Sequence, residues 1–100
     1  MSQNVLNPGV REVTVKGSSQ LGSERLTSLA TATAMTPTAG ATSARVYVEA
    51  GEVRVRDDGE AATATSGILI GAGAYEDVWN PVSGSIIEVS AGSIARVVYY

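Results

Sequence analysis

The stretch Ala44-Arg45-Val46-Tyr47-Val48-Glu49-Ala50-Gly51-Glu52-Val53-Arg54-Val55-Arg56 decides the fold class. Valines alternate with charged or aromatic residues on both sides of Ala50-Gly51. In an extended strand such a period of two sends successive side chains to opposite faces. The pattern predicts two strands, with Val46, Val48, Val53 and Val55 on one buried face, joined as a hairpin at the Ala-Gly connection. Downstream, Asp57-Asp58-Gly59-Glu60 reads as a turn. Ile68-Leu69-Ile70 reads as a short, fully apolar strand, and Gly71-Ala72-Gly73-Ala74 links it to a strand Tyr75-Glu76-Asp77-Val78-Trp79. Asn80-Pro81 ends that strand, because proline has no N–H to give to a ladder. Two more strands, over 85–90 and 94–100, flank Ala91-Gly92-Ser93.

Upstream the punctuation is denser. Asn7-Pro8-Gly9, Gly17-Ser18-Ser19, Gly22-Ser23 and Thr36-Pro37-Thr38-Ala39-Gly40 are turn signals. Between them lie two β-prone pieces, Arg11-Glu12-Val13-Thr14-Val15 and Leu26-Thr27-Ser28-Leu29. The best helix candidate is 23–34, with Leu26, Leu29 and Ala30 on one face, though its threonines count against it. Strands recurring roughly every 8–12 residues mark an all-β chain. The expected architecture is a compact antiparallel β-sandwich or jelly-roll-like barrel over 44–100, with 1–43 as an extended N-terminal arm.

Composition narrows the function. The chain has 100 residues and contains neither His nor Cys. Thus the commonest general base, the thiolate nucleophile and the usual ligands of zinc, iron and copper are missing together, and no disulfide can form. Net charge is −3, which argues against nucleic acid as a partner. Arg11, Lys16 and Arg25 against Glu12 and Glu24 give 1–43 a charge of +1, whereas 44–100 has four arginines against eight carboxylates, or −4. The first residues, MSQNVLNPGV, lack a basic stretch followed by an apolar run, so a signal peptide is not expected. The apolar stretch 68–74 is too short for a membrane span. A soluble protein made in a cytoplasm is the expectation. One Trp, four Tyr and no Phe leave a core of small side chains, which favours association with further copies.

From residue 52 onward the order of features is also informative. Glu52-Val53-Arg54-Val55-Arg56 leads into Asp58-Gly59, then the small-residue run Ala61-Ala62-Thr63-Ala64-Thr65-Ser66-Gly67, then Ile68-Leu69-Ile70. A glycine-rich link, an aromatic strand, Ile86-Ile87-Glu88-Val89 and Ala95-Arg96-Val97-Val98-Tyr99-Tyr100 complete it. This half of the chain resembles small β-sandwich structural proteins of tailed bacteriophages, some of which are capsid decoration (cement) proteins and others tail components. The resemblance implies a virion protein and supplies no catalytic residues; with the composition, no cofactor or metal site is expected. It implies a homo-oligomer, a trimer by capsid geometry, that holds the major capsid protein by multivalent contacts. No nucleic acid, membrane or small-molecule substrate is implied.

Several features admit two readings. Asp57, Asp58 and Glu60 offer oxygens to calcium, but a full site needs about six to eight, and an acidic turn is the simpler account. Gly71-Ala72-Gly73-Ala74 lacks the lysine and helix of a phosphate loop and fits a bulge or bend. Glu49 with Glu52, or Glu76 with Asp77, are near in sequence, but neighbours on a strand diverge, so paired-carboxylate catalysis is not expected. Tyr75 and Trp79, four apart on one strand face, either form a platform for sugar or protein, as in a tail-associated adhesin, or place Trp79 in the core. The 1–43 stretch is an arm pinning neighbouring subunits, a disordered segment, or a completion of the chain's own sandwich. The expected subunit or capsid contacts are Val5, Leu6, Val10, Val13, Leu26, Leu29, Tyr75 and Trp79.

Overall fold

The computed structural model describes residues 20–100. They form eight strands, β1 (Gly22–Leu26), β2 (Thr33–Ala34), β3 (Ala44–Ala50), β4 (Glu52–Arg56), β5 (Ile68–Gly71), β6 (Tyr75–Val78), β7 (Ser85–Glu88) and β8 (Ile94–Tyr99), with a 3-10 turn at Pro81–Ser83. The strands make two antiparallel four-stranded sheets, ordered β1-β8-β3-β6 and β2-β7-β4-β5. Every connection except β4 to β5 passes from one sheet to the other. That order defines an eight-stranded jelly roll, the all-β sandwich expected from the strand spacing.

Period-two alternation sorts the faces. Ala44, Val46 and Val48 of β3, Val78 of β6, and Ala95, Val97 and Tyr99 of β8 point inward from the first sheet. Val53 and Val55 of β4, Ile70 of β5 and Ile86 of β7 meet them from the second. The buried valine faces are therefore as the alternation predicts, but the hairpin is not. β3 and β4 do not pair. They lie in different sheets, and their valines face one another across the core. The register of β3 against β8 shifts between Val48 and Ala50, next to the corner.

Gly51 and Ser93 build that corner. Gly51 has φ +74°, and a Cβ on it would lie 2.2 Å from Ser93 Oγ and 3.0 Å from Ser93 Cα. Ser93 is fully buried. The Glu52 N–H donates to Ser93 Oγ at 3.1 Å and to Ser90 Oγ at 3.2 Å. Ser93 Oγ lies 2.9 Å from Glu52 O and 2.6 Å from Ser90 O, the acceptors for its one proton. A two-residue hairpin would need no such contact with the β7–β8 connection. Gly51→Ala is therefore expected to cost about 1–3 kcal/mol, combining left-handed strain with displacement of Ser93. A denaturant midpoint equal to wild type would show that the corner tolerates a side chain and does not depend on glycine at position 51.

The described part of the expected arm belongs to the sandwich. β1 pairs with β8 along its whole length and β2 pairs with β7, while Leu29 and Met35 sit in the core. Residues 20–43 thus supply two strands that one chain needs to close its own sheets, and the boundary at 43/44 is not a domain boundary. The helix candidate over 23–34 is replaced by β1, an irregular segment and β2. Residues 1–19, including the Arg11-to-Val15 piece, lie outside the described residues.

Candidate interaction surface

The charged partners in the alternating strands are structural ties. On the outer face of the first sheet, Glu49 of β3 receives Arg25 Nε of β1 and Arg96 Nε of β8, each at 3.1 Å. Arg25 first, and Arg96 with it, hold the Glu49 carboxyl below its ordinary range. Beside them Arg45 grips Asp77 of β6 in a two-pronged contact, Nε to Oδ1 at 2.7 Å and NH2 to Oδ2 at 3.1 Å. The Glu49 pairs are exposed and the Arg45–Asp77 pair is part-buried, so each contributes little alone. Together they span all four strands of the sheet.

On the second sheet, β4 uses its arginines to hold the 57–67 loop. Arg54 donates to Ala64 O and Gly67 O, both at 2.9 Å. Arg56 donates from Nε to Asp58 Oδ1 at 3.0 Å, and its NH2 also reaches Asp58 Oδ2. That contact, with the Glu60 N–H on Asp58 Oδ1, lowers the Asp58 pKa. Ala62 is buried under the loop, where its N–H donates to Ser85 Oγ at 2.8 Å. The acidic turn is thus engaged in folding the loop back. Among the described residues, no group of three or more acidic side chains is placed to hold a metal ion.

The other reactive pairs separate. Glu76 stands opposite Val46 and Asp77 opposite Arg45, on different faces of β6. Glu49 and Glu52 belong to different sheets. Gly71-Ala72-Gly73-Ala74 carries the chain from β5 to β6 across the sandwich edge, with the Gly73 N–H on Val48 O at 2.9 Å. An open depression of about 390 Å³ is lined by Ala32, Ala34, Glu60, Val82 and Ser83 among others, and among the described residues Glu60 is its only charged group.

The expected contact residues have different fates. Leu29 is wholly buried in the chain's own core, so it is not available to a partner. Leu26 is half-buried and packs on that core. Trp79 is 74% exposed and follows the last residue of β6, so it does not fill the core. Tyr75 is 53% exposed, but its aromatic neighbour is Tyr47, at 5.6 Å between centroids and 45° between planes. The Arg45 guanidinium carbon lies 4.2 Å from the centre of the Tyr75 ring and covers one of its faces. The Tyr75 cluster is thus cross-strand rather than along the strand. Tyr47 was missed because its position opposite Tyr75 follows from the β3–β6 pairing, which the sequence does not display. Val5, Leu6, Val10 and Val13 lie outside the described residues.

Large apolar side chains are exposed at several places among the described residues: Leu21 before β1, Val82 on the 3-10 turn, Val89 after β7, and four on or next to β5 and β6. β5 and β6 are the edge strands of their sheets and contact each other. Ile68 (53% exposed) and Leu69 (49%) are exposed on β5, Leu69 on the outer face of the second sheet opposite Arg54, whereas Tyr75 lies on the outer face of the first sheet opposite Tyr47. The sequence marks β5 as an apolar strand, yet only Ile70 of its three large residues is in the core.

No protein-family model, no curated protein and no solved structure matches the chain.

Proposed function

We propose that this chain is a bacteriophage virion structural protein, a capsid decoration protein that stabilises the head through multivalent contacts with the major capsid protein. The observation that carries this reading is the pair of exposed aromatic side chains at the β6 edge, Tyr75 on the strand and Trp79 just after it, on a small double-sheet fold. Apolar and aromatic groups left uncovered on a compact domain mark a contact surface. Two-sheet jelly rolls serve as coat modules, an analogy of fold that agrees with the resemblance of residues 52–100. The role is mechanical. Several copies acting together convert weak single contacts into firm attachment, since each later contact is effectively intramolecular. The proposal includes no catalysis and no cofactor, and its site of action is the virion.

The test separates virions of the source phage into heads and tails and measures this chain in each by mass spectrometry. It is expected in heads, in fixed proportion to the major capsid protein, and heads stripped of it should rebind the purified chain. Absence from the heads, or failure to rebind, overturns the proposal. The exposure of Trp79 favours one second reading, a tail-associated or surface carbohydrate-binding module. Saturable glycan binding lost in Trp79→Ala would establish that reading instead.

A further inference from the structure

The four sheet edges differ in what they offer a second copy. β6 presents Glu76 and Asp77, so pairing it with itself would bring carboxylates together. β1 carries Glu24 and Arg25, already engaged with Tyr99 and Glu49. β2 has only two residues. Among the described residues β5 is hydrogen-bonded to β4 on one side alone, and the stretch from Gly67 through Ala74 has no charged residue and no proline. Lysine, proline, inward charge or a covering loop ordinarily guards such an edge against pairing with another chain. Here Ile68 is exposed although it lies on the inner face with Ile70, opposite Val55. Leu69 is exposed on the outer face, opposite Arg54. Both faces of one short edge therefore leave apolar surface uncovered.

We propose that β5 is a self-pairing seam, and that two copies of this chain join β5 to β5 antiparallel about a two-fold axis. The two β2-β7-β4-β5 sheets become one eight-stranded sheet. Keeping both sandwiches on the same side of that sheet requires inner-face residues to oppose inner-face residues. Of the symmetric registers that do so, the one centred on Leu69 sets Leu69 opposite Leu69 of the other copy and Ile68 opposite Ile70 in both directions, and it alone gives both exposed side chains a large apolar partner. Ile68 then gains an apolar neighbour on its own face, and Leu69 packs on its counterpart. A two-fold interface is self-complementary in this way, whereas a three-fold ring needs two different edges. The edge chemistry thus favours a pair over the trimer expected from capsid geometry. This pairing does not depend on the virion role.

Two measurements on the full chain test it. Sedimentation equilibrium should give about twice the 10.2 kDa chain mass for wild type. Leu69→Lys should return it to one chain mass, with the circular dichroism of the fold retained because Leu69 is outside the core. Val82→Lys, on the exposed 3-10 turn, should leave the pair intact. The chain has no cysteine, so Leu69→Cys introduces a single thiol. Directly opposed residues of an antiparallel pair lie about 4.5–5.5 Å apart at Cα, within disulfide range. Mild oxidation should therefore convert Leu69→Cys to a covalent dimer, while Leu21→Cys, equally exposed beside the opposite edge, stays single. A wild-type monomer or trimer, a pair indifferent to Leu69→Lys, or equal cross-linking of the two cysteine variants would overturn the proposal.

Discussion

Val55→Asp is expected to lower Tm by roughly 12–40 °C. Val55 is 1% exposed and lies between Ile68 of β5 and Ile86 of β7 in the register of the second sheet. No cation of β4 can answer a carboxylate there, because Arg54 and Arg56 project from the other face and hold the 57–67 loop. The new group must be buried as an unpaired charge or protonated at a cost. An uncompensated buried charge costs about 3–5 kcal/mol. A domain of this size has about 5–15 kcal/mol in all, and each kcal/mol moves Tm by roughly 4–8 °C. Ser23→Asp is the comparison. Ser23 is exposed on the outer face of β1, and its substitution should stay within about 0.5 kcal/mol of wild type. Thermal melts followed by circular dichroism measure both. Should Val55→Asp melt like wild type, the inner and outer faces of β4 have been exchanged by a one-residue slip.

The same residues show what the sequence reveals and what it hides. Strand faces are legible where apolar and polar residues alternate strictly, as at Val46/Val48 and Val53/Val55. Strand partners are not. A hairpin and a corner between sheets both bury those four valines, and what separates them is Gly51 against Ser93, 42 positions away. β1 is hidden for a different reason. Its inner face carries Glu24 between Gly22 and Leu26, so the apolar alternation that marks the other strands is absent. Leu29 and Met35 are core residues in irregular segments, where no periodicity exists to signal burial. The contact surface is only partly legible. Tyr75 and Trp79 stand out as residue types, but the exposure of Ile68 and Leu69 follows from β5 being an edge, which is a property of topology.

Glu24 tolerates its inward position because of Tyr99, and Tyr99→Phe is expected to expose that dependence. Tyr99 is 1% exposed and is the largest fully buried side chain among the described residues. Its hydroxyl donates to Glu24 Oε2 and accepts the Thr36 N–H at 3.0 Å, while the same N–H lies 2.9 Å from Glu24 Oε2. One phenol thus ties β8, β1 and the β2–β3 connection together. Removing only the oxygen takes away a hydrogen bond to a charged group, about 1.5–3 kcal/mol. Tyr99→Ala also removes the ring and should cost about 3–5 kcal/mol or more. The phenylalanine variant carries a second signature. Burial first, and the Glu24 carboxylate second, raise the Tyr99 pKa above its ordinary 10.0. The folded chain therefore keeps the phenolic proton where the unfolded chain releases it. That stabilisation is fully present below about pH 10 and is lost as pH rises toward the folded value. Urea unfolding across pH 7–12 should show the gap between wild type and Tyr99→Phe narrowing above about pH 10. A gap constant over that range would mean that the Tyr99 hydroxyl is hydrated in the native state and that its tie to Glu24 does not hold the sheet edge.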